Sequence, residues 1–374
     1  MQTADQRGQK EILVIYGDDP ETMALRLAAA AGLAERIGDR HKRIGLKPNL
    51  VVPRPACEGA TTHPELVRGL IAYLQQQGFT RLAILEGSWV GARTEDAFTV
   101  CGYRKLAQDT GVALIDTQQD HSRTYDCRGM ELAICDCAME VDFMINLPVL
   151  KGHCQTMLTG ALKNHKGLIP NQEKRRFHTL GLHRPIAHLN TRVRSDFILM
   201  DGICGDLDFE EGGNPVPAGR MAAAWDPVLI DAWAASQLGY AAEDIPYLGL
   251  AENLGLGTAD LRQALIQALS VPAAADRKVF HPGVKVMHLV PFIQEDQACS
   301  ACYAALVFAL SRMNRQELKR LSGPIGIGQG FKGKTGTLGV GNCTGGFTAS
   351  IGGCPPVALA VLDFLRKQAI QGIS

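Results

Sequence analysis

Residues 81–116 read RLAILEGSWVGARTEDAFTVCGYRKLAQDTGVALID. A short apolar run at 81–85, helix formers over 94–108 and a second apolar run at 112–116 predict strand, helix, strand. The same alternation extends toward the N-terminus. Residues 11–16 (EILVIY) read as a buried strand ending in a turn at Gly17–Pro20, residues 21–37 as a helix stopped by Gly38, and residues 43–52 as a second strand. Thr62 and Glu65 have capping-box spacing around Pro64 and open a helix carrying Leu66, Leu70, Ile71 and Leu74, which closes at Gly78. Residues 141–149 and 197–203 read as further strands, residues 226–239 as a helix, and residues 205–221, rich in Gly, Pro and acids, as a long loop. Strands alternating with crossover helices imply an α/β fold: a mostly parallel sheet with helices on both faces.

Length and composition agree with that reading. The 374 residues suggest two domains, and 46% hydrophobic with 20% charged residues is a globular profile. Lys plus Arg and Asp plus Glu are both 38, so net charge gives no reason to expect nucleic acid or an anionic membrane as partner. The first ten residues are polar and no apolar run approaches a membrane span, so a cytoplasmic location is expected. No repeat of 20–50 residues is visible. After about residue 270 the character changes: a strand over 284–290, a short apolar helix over 303–313, a glycine-dense stretch over 323–353 and a last helix over 357–368. This gives an α/β domain over 1–270 and a smaller Gly- and Cys-rich region over 271–374.

Eleven cysteines in a cytoplasmic chain are expected to be reduced. Seven of them (Cys57, Cys101, Cys127, Cys135, Cys137, Cys154 and Cys204) are scattered and read as small buried hydrophobes. Cys135 and Cys137 would share a strand face, but two thiols make a poor metal site. Cys299 and Cys302 form a C-x2-C, and Cys343 and Cys354 follow within a Gly- and Pro-rich frame. A C-x2-C turn sets two sulfurs on one side of a loop, and two more complete the four ligands of a 4Fe–4S cluster. A structural zinc ion is the competing occupant, and no metal at all is the third reading.

Residues 151–171 (KGHCQTMLTGALKNHKGLIPN) follow a strand directly, and the C-terminal ends of α/β strands are where ligands bind. Written on a helix, Thr156, Thr159, Gly160, Lys163 and Gly167 form a small, hydroxylated face with one cation, opposite Met157, Leu158, Ala161, Leu162 and Leu168. Lys151, His153, His165 and Lys166 add positive charge, and His178 follows. A solvated basic face is the alternative. Lys47 and Asn49 follow another strand, His63 opens a helix, and Asp201 ends a third strand. Asp226 reads as a helix cap more readily than as a catalytic acid. Gly326-x-Gly328-x-Gly330 lacks the strand–turn–helix setting and the lysine-serine pair of a nucleotide loop.

Lys47-Pro48-Asn49-Leu50-Val51, Thr62-His63-Pro64-Glu65, Thr159-Gly160-Ala161-Leu162-Lys163-Asn164-x-x-Gly167, Asp201-Gly202 and Asp226-x4-Asp231 resemble, in order, the signature blocks of domain of unknown function family 362. The resemblance covers roughly residues 43–240. It implies iron–sulfur ligands, commonly in an added ferredoxin-like segment; here the compact ferredoxin run is replaced by the dispersed quartet. A weaker resemblance is to the nickel-pincer lactate racemase family, in which a histidine, a cofactor-bearing lysine ten residues on and a second histidine line the site. His153, Lys163 and His178 approximate that spacing.

The resulting expectation is an enzyme of oxidoreductase type acting on a small anionic substrate such as a carboxylate or phosphate ester. Cys299, Cys302, Cys343 and Cys354 would hold the cluster. Lys47, Asn49, His63, Lys151, Thr159, Asn164 and Asp201 would bind substrate, with His153, Lys163 and His178 catalytic. A redox partner protein would exchange electrons with it. The alternatives are a racemase- or lyase-like enzyme with a cofactor at Lys163 and a structural metal, and a non-enzymatic electron carrier.

Overall fold

The computed structural model describes residues 10–371 apart from 208, 209, 211, 213, 214 and 271–287. Eight strands form the main sheet: β1 (Glu11–Tyr16), β2 (Ile44–Pro48), β3 (Leu82–Glu86), β4 (Ala113–Asp116), β5 (Phe143–Leu147), β6 (Phe197–Asp206), β7 (Pro215–Ala224) and β8 (Leu265–Ala268). Their order is β8-β1-β7-β6-β5-β2-β3-β4. All neighbouring pairs are parallel except the two that involve β7, which runs against β1 and β6. Every residue of β2 and β5 is buried, as expected for central strands of a sheet covered on both faces. The α/β expectation holds.

The helices begin where proline and an acceptor side chain favour them. Asp19 caps α1 (Pro20–Ala30) by accepting the Thr22 N–H at 3.3 Å, with Pro20 in the first turn. On α2 (Pro64–Gln76) the expected residues Leu66, Leu70, Ile71 and Leu74 are all buried, and each contributes roughly 1.5–3 kcal/mol. Gly69 lets α2 approach α1, since a Cβ there would lie 2.1 Å from the Glu21 carbonyl oxygen.

Several local expectations are corrected. The helix over 21–37 breaks at Gly32, whose φ is +63°, and resumes as Leu33–Ile37. The one over 94–108 divides at Gly102 (φ +81°) into α3 (Thr94–Val100) and α4 (Tyr103–Thr110). The capping box at Thr62 does not form. His63 occupies the cap position without a side-chain capping bond, while Thr62 Oγ1 accepts from Asn49 N–H and donates to the Leu147 carbonyl, both at 2.8 Å. The stretch over 205–221 largely belongs to strands: β6 and β7 pair antiparallel from Ile198↔Ala224 out to Asp206↔Pro215. The long helix drawn through 151–171 shrinks to α5 (Gly160–Asn164), preceded by a two-stranded bridge between Gly152–His153 and Met157–Leu158. Cys135 ends the strand Glu131–Cys135 and Cys137 lies in the helix that follows, so they share no strand face.

The chain divides into two units, Met1–Lys174 with His183–Pro282, and Arg175–Leu182 with Gly283–Ser374; the division falls inside α6 (Asn171–Thr179). α7 (Pro227–Gln237), also in the first unit, is capped by Asp226. Its main apolar core includes Leu27, Leu46, Leu70, Ile84, Ile145 and Leu199. In the second unit, the glycine-dense stretch forms strands after all. β9 (Ile293–Glu295), β10 (Ile325–Ile327), β11 (Leu338–Val340) and β12 (Ala349–Ile351) make a parallel sheet in chain order. Gly326 and Gly339 are needed there because a Cβ would lie 2.4 Å from the Phe347 ring and 2.5 Å from Thr344, respectively. α8 (Ser300–Ser311) and α9 (Ala358–Gln371) complete the unit. Of the strand expected over 284–290, residues 284–287 lie outside the described residues, and Val290 begins a 3₁₀ turn.

Candidate functional site

In the first unit, the C-terminal ends of β2, β3 and β5 carry Lys47, Glu86 and Asn146. Lys47 is fully buried, with Nζ 2.9 Å from Glu86 Oε2 and 2.6 Å from the Pro48 carbonyl oxygen. Burial lowers the affinity of Lys47 for its proton, and the Glu86 carboxylate works in the opposite direction. Glu86 also accepts the N–H groups of Leu50 and Gly87 at 2.7 Å each. Gly167 packs on this pair: a Cβ there would lie 2.2 Å from Glu86 Oε1 and 2.6 Å from Lys47 Nζ. Lys174 donates to the carbonyls of Gly87 and Ser88 at 3.0 and 2.8 Å, and burial draws its pKa down to about 8.

A chain of amides joins this pair to the cations of residues 151–163. Asn164 donates to Lys47 O at 3.1 Å and Asn146 Oδ1 at 2.8 Å, and accepts from Asn49 Nδ2 at 3.0 Å. Asn49 Oδ1 in turn accepts from Lys151 Nζ at 3.1 Å. Lys151 also donates to Ala60 O at 2.5 Å and Glu210 O at 2.7 Å. The Glu210 carboxylate sits between Lys163 Nζ at 2.5 Å and His153 Nε2 at 2.8 Å. His153 Nδ1 accepts the N–H groups of Gln155 and Thr156, so the ring proton resides on Nε2 and is donated to Glu210. Burial first, then Lys163, pulls the His153 pKa down to about 4, which leaves the ring neutral near pH 7. Burial alone would raise Glu210, but Lys163, His153 and Lys151 together hold it well below the usual carboxylate range.

His63 pairs separately with Asp201: its N–H and its Nδ1 both approach Asp201 Oδ2 at 2.8 Å. Burial opposes the charged imidazolium, yet the Asp201 carboxylate wins and the pKa is raised. Thr159 Oγ1 donates to Gly152 O at 3.3 Å and braces the turn before α5. The structure therefore joins Lys47, Asn49, Lys151, His153, Lys163 and Asn164 in one buried network, with His63 and Asp201 as a neighbouring pair and Thr159 beside the backbone. His178 belongs to the second unit.

Glu86, Asn146 and Glu210 are the members that reading the sequence missed. A signal for Glu210 existed: residues 151–171 contain three lysines and histidines before Asn164 and no acid, and buried cations require a carboxylate from elsewhere. Residues 206–211 (DLDFEE) supply it.

In the second unit, Cys299, Cys302, Cys343 and Cys354 line one cavity of about 150 Å³ together with Arg175, Gln329, Lys332, Gly341, Asn342 and Gly353. The C-x2-C is a helix start rather than a turn: Cys299 is the N-cap of α8 and Cys302 lies in its first turn. Gln329 Nε2 points at Cys299 Sγ from 3.7 Å and at Arg175 O from 3.2 Å. Burial, then the other three sulfurs, pushes the Cys302 thiol up to about 12. Burial also raises Cys343, against the pull of Lys332. None of the eleven cysteines is in a disulfide.

Among the described residues no group of three or more His, Cys, Asp or Glu is placed to hold a metal ion. Four sulfurs line one cavity together with the basic side chains of Arg175 and Lys332. Gly341 beside it has φ +93°, a conformation that favours glycine. Among the described residues no helix is long and apolar enough to cross a membrane.

Comparison with known proteins places these features in a family. Thylakoid-associated protein sll1697 from Synechocystis sp. (strain ATCC 27184 / PCC 6803 / Kazusa) is 26% identical over 228 residues, covering 57% of this chain and 68% of that protein. Among solved structures, the lactate racemase apoprotein from Thermoanaerobacterium thermosaccharolyticum is similar with a TM-score of 0.37 and 14% identity. That match covers 61% of this chain, and this chain spans 57% of the racemase chain. A family model described as Domain of unknown function (DUF362) matches residues 44–236. The match takes in β2 through α7 and with them the whole buried polar network, just over half of the 374 residues, and the chain therefore belongs to the DUF362 family.

Proposed function

We propose that this protein is a cytoplasmic iron–sulfur enzyme of oxidoreductase type, acting on a small anionic substrate, with a 4Fe–4S cluster held by Cys299, Cys302, Cys343 and Cys354. The observation that supports it most is the shared cavity: sulfurs from three separate stretches of sequence wall one space with two cationic side chains. Bound there, such a cluster supplies or accepts one electron at a time. The chain's own groups are suited to govern it. The Gln329 amide donates toward Cys299 Sγ, and Arg175 and Lys332 offset the negative charge of four thiolates. In the first unit, His153 and Lys163 are buried donors already turned on the Glu210 carboxylate, and Lys151 on the Glu210 backbone carbonyl, which is the chemistry an anionic substrate needs. A redox partner protein would complete the electron path.

The test is anaerobic purification followed by an iron and acid-labile sulfide count and a paramagnetic resonance spectrum after reduction. Roughly four iron and four sulfide per chain, with a signal on reduction, is the expected result. Stoichiometric zinc with a silent reduced spectrum overturns the proposal.

A further inference from the structure

Glu210 brings three acceptors to three donors of the first unit. Its Oε1 meets Lys163 Nζ at 2.5 Å, its Oε2 meets His153 Nε2 at 2.8 Å, and its backbone oxygen meets Lys151 Nζ at 2.7 Å. The donors are 0–3% exposed, and each is fixed from behind. Lys151 is held by Asn49 and Ala60, His153 by the N–H groups of Gln155 and Thr156, and Lys163 by its place on α5. Glu210, at 8%, is the most exposed member of the group.

We infer that Lys151, His153 and Lys163 form a binding site for a five-carbon dicarboxylate, and that Glu210 fills this site in the ligand-free protein. The recognition is that of a planar carboxylate, one donor to each oxygen, rather than of a tetrahedral phosphate with three terminal oxygens to satisfy. The spacing follows from Glu210 itself. Its carbonyl carbon and its carboxylate carbon are joined through Cα, Cβ and Cγ, so the two anchor points are four bonds apart. A free diacid with the glutarate skeleton presents its oxygens at the same separation. Its second carboxylate would meet Lys151, where an ion pair replaces a bond to a neutral carbonyl. Glu210 competes with such a ligand, and its removal must raise apparent affinity by the factor it held the site closed.

The inference rests on the anionic-substrate reading above, and the experiment separates the two. Calorimetric titration of the full chain, wild type and Glu210→Ala, uses glutarate, acetate and inorganic phosphate as probes. Glutarate is expected to bind Glu210→Ala roughly tenfold or more tightly than wild type, and more tightly than acetate by a similar factor. Should Glu210→Ala fail to fold, Glu210→Gln, which keeps the volume and loses the charge, is read by the same comparison. Phosphate binding tighter than glutarate overturns the dicarboxylate site while leaving an anion site in place. Glutarate affinity unchanged by either substitution overturns the competition by Glu210. No binding of any probe to either form removes the anionic-substrate reading as well.

Discussion

Gly160 and Asp231 are in such close contact that a Cβ on Gly160 would lie 2.5 Å from Asp231 Oδ1. The Asp231 carboxylate accepts the N–H groups of Ala161 at 2.5 Å and Leu162 at 3.0 Å, and so anchors the start of the helix that carries Lys163 and Asn164. Two sequence blocks 70 residues apart, Thr159–Asn164 and Asp226–Asp231, are therefore one structural device. Gly160 also has φ of +59°, a conformation that costs an L-residue about 1 kcal/mol before any clash. Gly160→Ala is expected to destabilise the fold by roughly 2–4 kcal/mol. Denaturant unfolding measures it, and a change below about 1 kcal/mol would show that the contact relaxes without consequence.

Asp231 adds a pH dependence to this anchor. Burial raises its pKa to about 7, against the pull of the two N–H groups and from an ordinary value of 3.8. The folded state then holds a proton that the unfolded state releases, so the contribution is fully present below about pH 4 and is lost as pH rises to about 7. Its size is of order 4 kcal/mol. Asp231→Asn, which cannot titrate, should flatten the stability profile between pH 4 and 7 relative to wild type. Parallel profiles for the two proteins would assign the slope to other groups.

Glu86 serves three buried donors: the Lys47 ammonium and the N–H groups of Leu50 and Gly87. Glu86→Gln turns an amide N–H toward one of them and strips Lys47 of its counterion. A loss of about 3–5 kcal/mol is expected, the usual penalty of leaving one buried charge unpaired. Adding Lys47→Met in the Gln background should recover part of it, and a strictly additive double variant would mean that the two side chains do not depend on each other.

The sheet was legible because its strands are short apolar runs between helix patterns, and the burial of Leu66, Leu70, Ile71 and Leu74 follows from their spacing. Helix continuity was not, since Gly32 and Gly102 take positive φ inside stretches whose composition favours a helix throughout. The second unit hid its strands for a related reason. Gly326 and Gly339 sit in strands because Phe347 and Thr344 occupy the space of their missing side chains, which is a tertiary demand invisible in local propensity. In the candidate site the cations announced themselves by spacing, whereas their counterions Glu86 and Glu210 lie 39 and 47 residues away from Lys47 and Lys163. Such pairing is decided by the fold.

The cysteine quartet separates from the other cysteines in a simple comparison. Cys299, Cys302, Cys343 and Cys354 line the cavity, while Cys101 is buried against the carbonyls of Val52 and Arg54 in the first unit and Cys57 is exposed. Serine at any of the four should cut the iron content of anaerobically purified protein to less than roughly half, because a cluster with three ligands is retained poorly. Cys57→Ser and Cys101→Ser should retain it. Equal iron in all six variants would dissociate the quartet from any metal.

His153 is neutral in the fold, and its tautomer is fixed by its surroundings: Nδ1 accepts two backbone N–H groups, and Nε2–H faces Glu210. A ring held at a pKa of about 4 instead of 6.5 contributes stability that is present above pH 6.5 and lost as pH falls toward 4. The amount is of order 3 kcal/mol. Nitrogen-15 imidazole shifts should report the Nε2–H form unchanged from pH 8 down to about pH 5. Glu210→Gln removes the one negative charge that favours the imidazolium, while Lys163 and Lys166 remain, so the apparent pKa should fall further. A His153 that titrates between pH 6 and 7 in wild type would mean that the ring is charged at neutral pH, and the division of donors around Glu210 would have to be redrawn.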